Sequence, residues 1–227
     1  MSHTRNRYNE TLFGPEITGT WFDLEIQSPI QIKDILILMY DDLITTNPGL
    51  ITNYMNVISY YNTDPTAIQY AAPNPAYGAN RVWKALIVAG QGIIMKSSAK
   101  LEASRDALNQ VMDYVIKGDG FYEDGSFLQH GTIAYTGGYG ANLLPDVSNL
   151  LYWLNGSQWE YTYANYSNVF KWIYDSYEPV IYKGLMMDMV RGREIASSST
   201  QGRVIGNKVM GGILRLAQIA PLRMRRE

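Results

Sequence analysis

Apolar residues recur along this chain at intervals of three and four, and no stretch shows the strict alternation of paired strands with one buried face. The sharpest case is Leu101, Leu108, Val111, Met112, Val115 and Ile116, one helical stripe followed by Gly118 as a stop. The same reading predicts helices over 30–44, 50–61, 81–96, 142–154, 166–177 and 201–220. The first two are parted by Asn47-Pro48-Gly49, and the last ends before Pro221. Loops rich in Gly, Pro and Asn fall at 62–80, 118–126 and 135–140. Such stripes are buried by packing helix on helix, so the expected fold is all-α, made of helical hairpins. At 227 residues, with no repeat, low-complexity tract or linker, the chain reads as a single α-helical domain over 1–227, its residues 1–17 extended or frayed.

A formal charge of −2 gives no global electrostatic case for nucleic acid, so a polyanionic ligand would need a local basic cleft. The absence of cysteine excludes disulfides and thiolate metal sites. No run approaches the ~20 apolar residues of a membrane span, and no export signal is visible in this chain. The basic tail of Arg223, Arg225 and Arg226 reads as a solvated helix end. The 18 tyrosines and 5 tryptophans suit a dense core or a surface that stacks on flat ligands such as sugar rings. Trp83, Trp153, Trp159 and Trp172 read as core or cleft wall, core being favoured for Trp83 and Trp172.

Histidine occurs only as His3 and His130. His130 lies in Asp124-Gly-Ser-Phe-Leu-Gln129-His130-Gly-Thr-Ile-Ala-Tyr-Thr-Gly-Gly-Tyr139-Gly, where one base and two phenols sit among glycines that let side chains approach a ligand. Two further islands place polar residues among glycines, Tyr77-Gly-Ala-Asn80-Arg81 and Met189-Val-Arg191-Gly-Arg193. Together the three resemble the polysaccharide lyases that act on hyaluronan, chondroitin and xanthan. The pattern of that family holds a Gly-Ala-Asn turn, an Asp-Gly-Ser-Phe-x-Gln-His…Ala-Tyr-Thr-Gly-x-Tyr-Gly segment and a Met-x-Arg-Gly-Arg segment, in this order. Trp21-Phe22 is similar to the family's aromatic element, and the likeness runs from about Thr18 to about Ala220.

The resemblance implies an incomplete (α/α) toroid of helical hairpins, without the β-sandwich domains usual in the family. It implies Asn80, His130, Tyr139 and Arg193 as catalytic positions, and Trp21, Phe22, Arg191 and Gln129 as substrate-binding ones. It further implies an acidic polysaccharide as partner, β-elimination as the reaction, an extracellular place of work, and no cofactor or metal. The chemistry needs these residue types. The proton on the ring carbon beside a uronate is very weakly acidic until a donor such as Asn80, helped by an arginine, stabilises the charge that develops as it leaves. His130 suits the general base, and Tyr139 the acid that protonates the leaving oxygen, its phenol drawn down from about 10 by a guanidinium. In the alternative division Tyr139 does both jobs and His130 helps to bind the carboxylate.

Three positions depart from the pattern. Ser197 stands where the family carries a further arginine, Thr20 where it carries asparagine before the aromatic pair, and Phe22 where it carries a second tryptophan. These changes bear on subsite affinity and leave a catalytically weak or inactive carbohydrate-binding relative as the competing reading. A glycoside hydrolase is the other alternative, because Asp119, Glu123 and Asp124 cluster and hydrolysis needs two carboxylates. Acids beside glycines more often form turns.

Overall fold

A reciprocal cap starts the first helix. The Thr20 hydroxyl accepts from the Asp23 amide at 3.3 Å, while the Asp23 carboxylate accepts from the Thr20 amide at 3.1 Å and hydroxyl at 3.0 Å. This is the logic of a capping box, and it gives Thr20 a local reason to stand before the aromatic pair. The computed structural model describes residues 19–69 and 74–221. His3, the 1–17 segment and the basic tail lie outside them. The described chain forms two compact units, one of residues 1–76 and 83–107, the other of 77–82 and 108–227.

In the first unit, a π-helical turn at Asp23–Gln27 leads into α1 (Ser28–Leu38), followed by α2 (Tyr40–Thr46) and α3 (Pro48–Tyr61). Proline near the start of α3 sacrifices no helical hydrogen bond, which is why Asn47-Pro48 makes a clean break. The stretch predicted as one helix over 30–44 instead divides at Met39, which leaves helical geometry at φ −103° and ψ 13°. Leu24, Ile26, Ile32, Leu36, Met55, Val57 and Ile58 form the core, with Trp21, Phe22 and Trp83 packed partly buried against it. Within that core Lys84 pairs with Glu25, both fully buried. Glu25 also accepts the Gln69 amide at 2.8 Å, and Lys84 donates to Asn62 Oδ1 at 3.0 Å. Burial lowers the Lys84 pKa, against the opposing pull of Glu25. Strands β1 (Ala67–Ile68) and β2 (Asn74–Pro75) pair antiparallel.

Helix α4 (Gly78–Ile94) begins three residues earlier than predicted, and α5 (Ser98–Met112) ends before Val115 and Ile116. Val115 instead donates its amide to the Phe121 carbonyl, and Ile116 is 97% exposed. The helical stripe thus overran its helix, because Val115 pairs with the strand that follows. In the second unit β3 (Gly120–Phe121), β4 (Phe127–Gln129) and β5 (Ile133–Ala134) make a small antiparallel sheet in the order β3-β4-β5. Strands this short carry no periodicity to read. Beneath the sheet Phe121 stacks on Trp172 at 4.0 Å and meets Phe127 at 4.7 Å, with Tyr177 also buried.

Helix α6 (Tyr139–Leu154) also starts three residues early. The segment predicted helical over 166–177 is α7 (Asn168–Trp172) flanked by a 3-10 turn at Ala164–Ser167 and a π-helical turn at Ile173–Tyr177. A hairpin of β6 (Ile181–Tyr182) and β7 (Leu185–Met186) precedes α8 (Gly202–Ile219), which packs along α6 with Gly212 against the backbone of Pro145. Among the described residues no helix is long and apolar enough to cross a membrane. The architecture is all-α, as predicted from the hydrophobic period, with only small sheets in its loops.

Candidate active site

Three backbone devices in the second unit set the site. The first is the hairpin of β3 and β4, closed by Asp124, whose carboxylate accepts the Ser126 amide at 2.9 Å and hydroxyl at 2.6 Å. Those hydrogen bonds hold the Asp124 carboxyl below its usual pKa. Asp119 serves the neighbouring turn, accepting from Gln129 Nε2 at 2.7 Å and the Gly131 amide at 2.6 Å. Both acids are therefore engaged by the hairpin, in keeping with the turn-forming reading.

The second device is the turn between β4 and β5. His130 adopts left-handed geometry at φ 55° and is exposed. Histidine is among the few side chains that visit this region with any frequency. The third is the pair of loops around Tyr135, a fully buried ring. Its hydroxyl accepts the Arg193 amide at 3.2 Å, and Gly137 donates to the Val190 carbonyl at 2.8 Å, so the tyrosine loop and the arginine loop are tied together. Gly192 has φ 55°, and a Cβ there would come within 2.5 Å of the Tyr135 ring. The glycine of Arg-Gly-Arg is thus required by both conformation and space.

These devices bring three of the four predicted catalytic side chains together. Arg193 Nη2 donates to the Tyr139 hydroxyl at 2.9 Å and lies 3.4 Å from His130 Nε2. The His130 and Tyr139 rings meet edge to face at 4.9 Å, and Tyr135 meets Tyr139 at 5.0 Å. A guanidinium has no acceptor, so its contact with His130 is a hydrogen bond only when Nε2 carries a lone pair, the form a general base requires. Tyr139 opens α6 and is half buried. Burial pushes its phenol above the ordinary value, Tyr135 and Glu194 push the same way, and Arg193 pulls it back without offsetting them. The prediction of a phenol drawn down by arginine is therefore corrected, because desolvation of the ring outweighs the nearby charge.

Asn80 sits in the first turn of α4, 9% exposed, and its Oδ1 has no hydrogen-bond partner among the described residues. Its link to the others is indirect. The amide of Ala79 donates to Gln129 Oε1 at 3.3 Å, one residue before Asn80 on one side and one before His130 on the other. Gly78, at φ 52°, leaves no room for a side chain, since a Cβ would lie 2.2 Å from Gln129 Oε1.

Two predicted substrate-binding residues are occupied by the protein itself. Gln129 is 1% exposed, with both ends of its amide bonded. Arg191, 6% exposed, binds Asp188, the Glu194 carbonyl at 3.0 Å and the Thr200 carbonyl. These contacts tie Gln129 and Arg191 into the loops of His130 and Arg193. Trp21 and Phe22, in the first unit, meet edge to face at 5.8 Å, and Phe22 meets Trp83 likewise at 5.8 Å. The Ser197 hydroxyl is hydrogen-bonded with that of Ser199 at 3.1 Å. Sequence reasoning missed the contacts of Tyr135 and the hydrogen bonds of Asp119 on both sides of His130; a tyrosine inside a glycine-rich run was the available signal for the first, and nothing local marked the second. Among the described residues no group of three His, Asp or Glu side chains could hold a metal ion.

Comparison with known proteins agrees with this architecture. The chain is 42% identical over 218 residues to xanthan lyase of Bacillus sp. (strain GL1), a match covering 95% of this chain and 22% of that protein. It is 39% identical over 204 residues to hyaluronate lyase of Thermasporomyces composti, covering 90% and 25%. The structure of chondroitin AC lyase from Streptomyces coelicolor A3 superposes with a TM-score of 0.85 at 31% identity, covering 98% of this chain and 30% of that one. The chain thus spans about a quarter of the length of the curated relatives it matches. The model of polysaccharide lyase family 8, N terminal alpha-helical domain, matches residues 3–227, and with the fold and motifs above this establishes that the chain belongs to that family.

Proposed function

We propose that this chain carries the catalytic groups of a lyase that cleaves a uronic-acid-containing polysaccharide, of the hyaluronan, chondroitin or xanthan type, by β-elimination. The observation that carries this reading is the bridge made by Arg193 Nη2 between the Tyr139 hydroxyl and His130 Nε2. His130 takes the proton from the ring carbon beside the uronate carboxylate. The electron pair left behind forms the ring double bond as the glycosidic C–O bond breaks, and Tyr139 delivers its proton to the leaving oxygen. The raised phenol pKa keeps Tyr139 protonated at neutral pH, which is the form a proton donor requires. Asn80 and Arg193 stabilise the negative charge that builds on the carboxylate. The Asn80 carboxamide has an unmet acceptor and can present either end to a sugar.

Trp21 and Phe22 are of the residue type that stacks on sugar rings, whereas Gln129 and Arg191 have their polar groups engaged within the protein. The family resemblance puts the reaction outside the cell. The test is an ultraviolet assay over hyaluronan, chondroitin and xanthan, in which elimination appears as the absorbance of an unsaturated uronide. Chain shortening without that absorbance would point to a hydrolase. Binding of uronate oligomers with no cleavage would identify a carbohydrate-binding relative.

A further inference from the structure

We propose that Asp119, through Gln129, is a positioning residue that holds His130 and Asn80 in one frame, an inference that rests on the lyase reading above. Asp119 lies between Gly118 and β3, is partly buried, and uses both carboxylate oxygens within the protein. One accepts the Gly131 amide at 2.6 Å, directly after His130, and the other accepts Gln129 Nε2 at 2.7 Å, directly before it. The left-handed turn carrying His130 is therefore clamped at both ends by one carboxylate. Gln129 passes the constraint on, because its Oε1 accepts the amide of Ala79, the residue before Asn80, at 3.3 Å. A glycine at 78 leaves the space that this contact occupies.

The polarity of the chain of bonds is fixed. The amide of Ala79 needs an acceptor and the carboxylate of Asp119 needs a donor, so the Gln129 carboxamide has one workable orientation. Asp119→Asn keeps the shape and breaks this polarity. Either the new amide group faces the Gly131 amide, or it faces Gln129 Nε2; and if Gln129 turns over to meet it, Nε2 then faces the Ala79 amide. One donor is left against another donor in every arrangement. Adding Gln129→Glu removes the conflict, since one oxygen of the new carboxylate accepts from the asparagine and the other from Ala79. The double variant restores all three hydrogen bonds and keeps the net charge.

His130 is one of two histidines, so its imidazole resonances are identified by comparison with a His3→Asn variant. The expected result for Asp119→Asn is a displaced His130 imidazole signal and a fall in kcat of about 10²-fold with KM little changed, as small misplacements of reacting groups produce. In Asp119→Asn with Gln129→Glu both return toward the parent values. An unmoved imidazole signal in a folded Asp119→Asn overturns the proposal, as does a folded double variant that stays at the level of the single one. Should Asp119→Asn lose its cooperative unfolding transition, the double variant decides alone: parent-like imidazole signals support the clamp, displaced ones refute it. If the parent chain gives no unsaturated product, the lyase reading fails by itself, while the imidazole signals still decide whether Asp119 sets His130.

Discussion

Two cations in this chain meet opposite fates. Lys84 is fully buried in the first unit, paired with a fully buried Glu25 and bonded to Asn62. Arg193 is exposed in the second unit, pairs with no carboxylate among the described residues, and leans on two groups that are neutral when bonded to it, Tyr139 and His130. Burying an ion pair costs so much desolvation that it survives only when saturated by partners, and a saturated pair has nothing left to offer a ligand. A guanidinium held in place by a phenol and an imidazole keeps its charge available for an anion. The first arrangement spends its charge inside the core; the second leaves one at the surface.

Substitutions can break or sharpen that contrast. The largest effect is expected at Tyr139→Phe, which deletes the proton donor and little volume. Turnover should fall about 10²–10⁴-fold while the unfolding midpoint stays near that of the parent, and full activity in the ultraviolet assay would remove Tyr139 from the mechanism. Lys84→Met strands Glu25 in the core and should cost about 3–5 kcal/mol of stability, measured by urea unfolding. A small loss there would mean that the buried pair is less tightly coupled than its geometry implies. Asn80→Ala should depress kcat about 10²-fold or more, as loss of one donor to developing charge does, with a lesser change in ground-state binding; an effect confined to affinity would count against its role.

Arg193→Ala completes the comparison with Lys84, weakening both binding and turnover while stability moves by no more than about 0.5 kcal/mol, as at other exposed positions. The smallest effect is expected at Tyr177, which is wholly buried and donates to the Gly140 carbonyl at 2.7 Å, beside Tyr139. Burial pushes its phenol well above the ordinary value, so the folded chain favours the neutral form. The stability this gives is fully present below about pH 10, the ordinary phenol value, and is lost as pH rises through the raised folded one. Tyr177→Phe should cost about 1 kcal/mol at neutral pH and flatten the alkaline loss, seen by comparing unfolding midpoints across that range.

Much of the fold was legible because buried helices write their period into the sequence. Leu108, Val111 and Met112 are buried as the stripe predicts, and Asn47-Pro48 ends a helix where its turn chemistry says it should. The stripe misled at Val115 and Ile116, since local spacing cannot tell that Val115 pairs with the strand beginning at Gly120. Helices α4 and α6 start earlier than their apolar periodicity, at Gly78 and Tyr139, because their opening turns, Gly78-Ala-Asn80 and Tyr139-Gly-Ala, hold small and polar residues that write no apolar stripe although most of them are buried. Asn80 and Tyr139 therefore stand on helix starts rather than in loops.

The sequence by itself determined the helical class and the residue types available for chemistry, because periodicity and side-chain chemistry are local properties. Its resemblance to a known family supplied candidates for the site, among them Gln129 and Arg191 as ligand contacts. Only the tertiary structure decided that these two are bonded within the protein, that His130, Tyr139 and Arg193 meet, and that burial outweighs arginine at the Tyr139 phenol. Arg193 reaches Tyr139 and His130 across 54 and 63 residues of sequence, the bonds of Gln129 and Arg191 depend on how their loops turn back on themselves, and the Tyr139 phenol depends on how much water it keeps; no local pattern of residues encodes these.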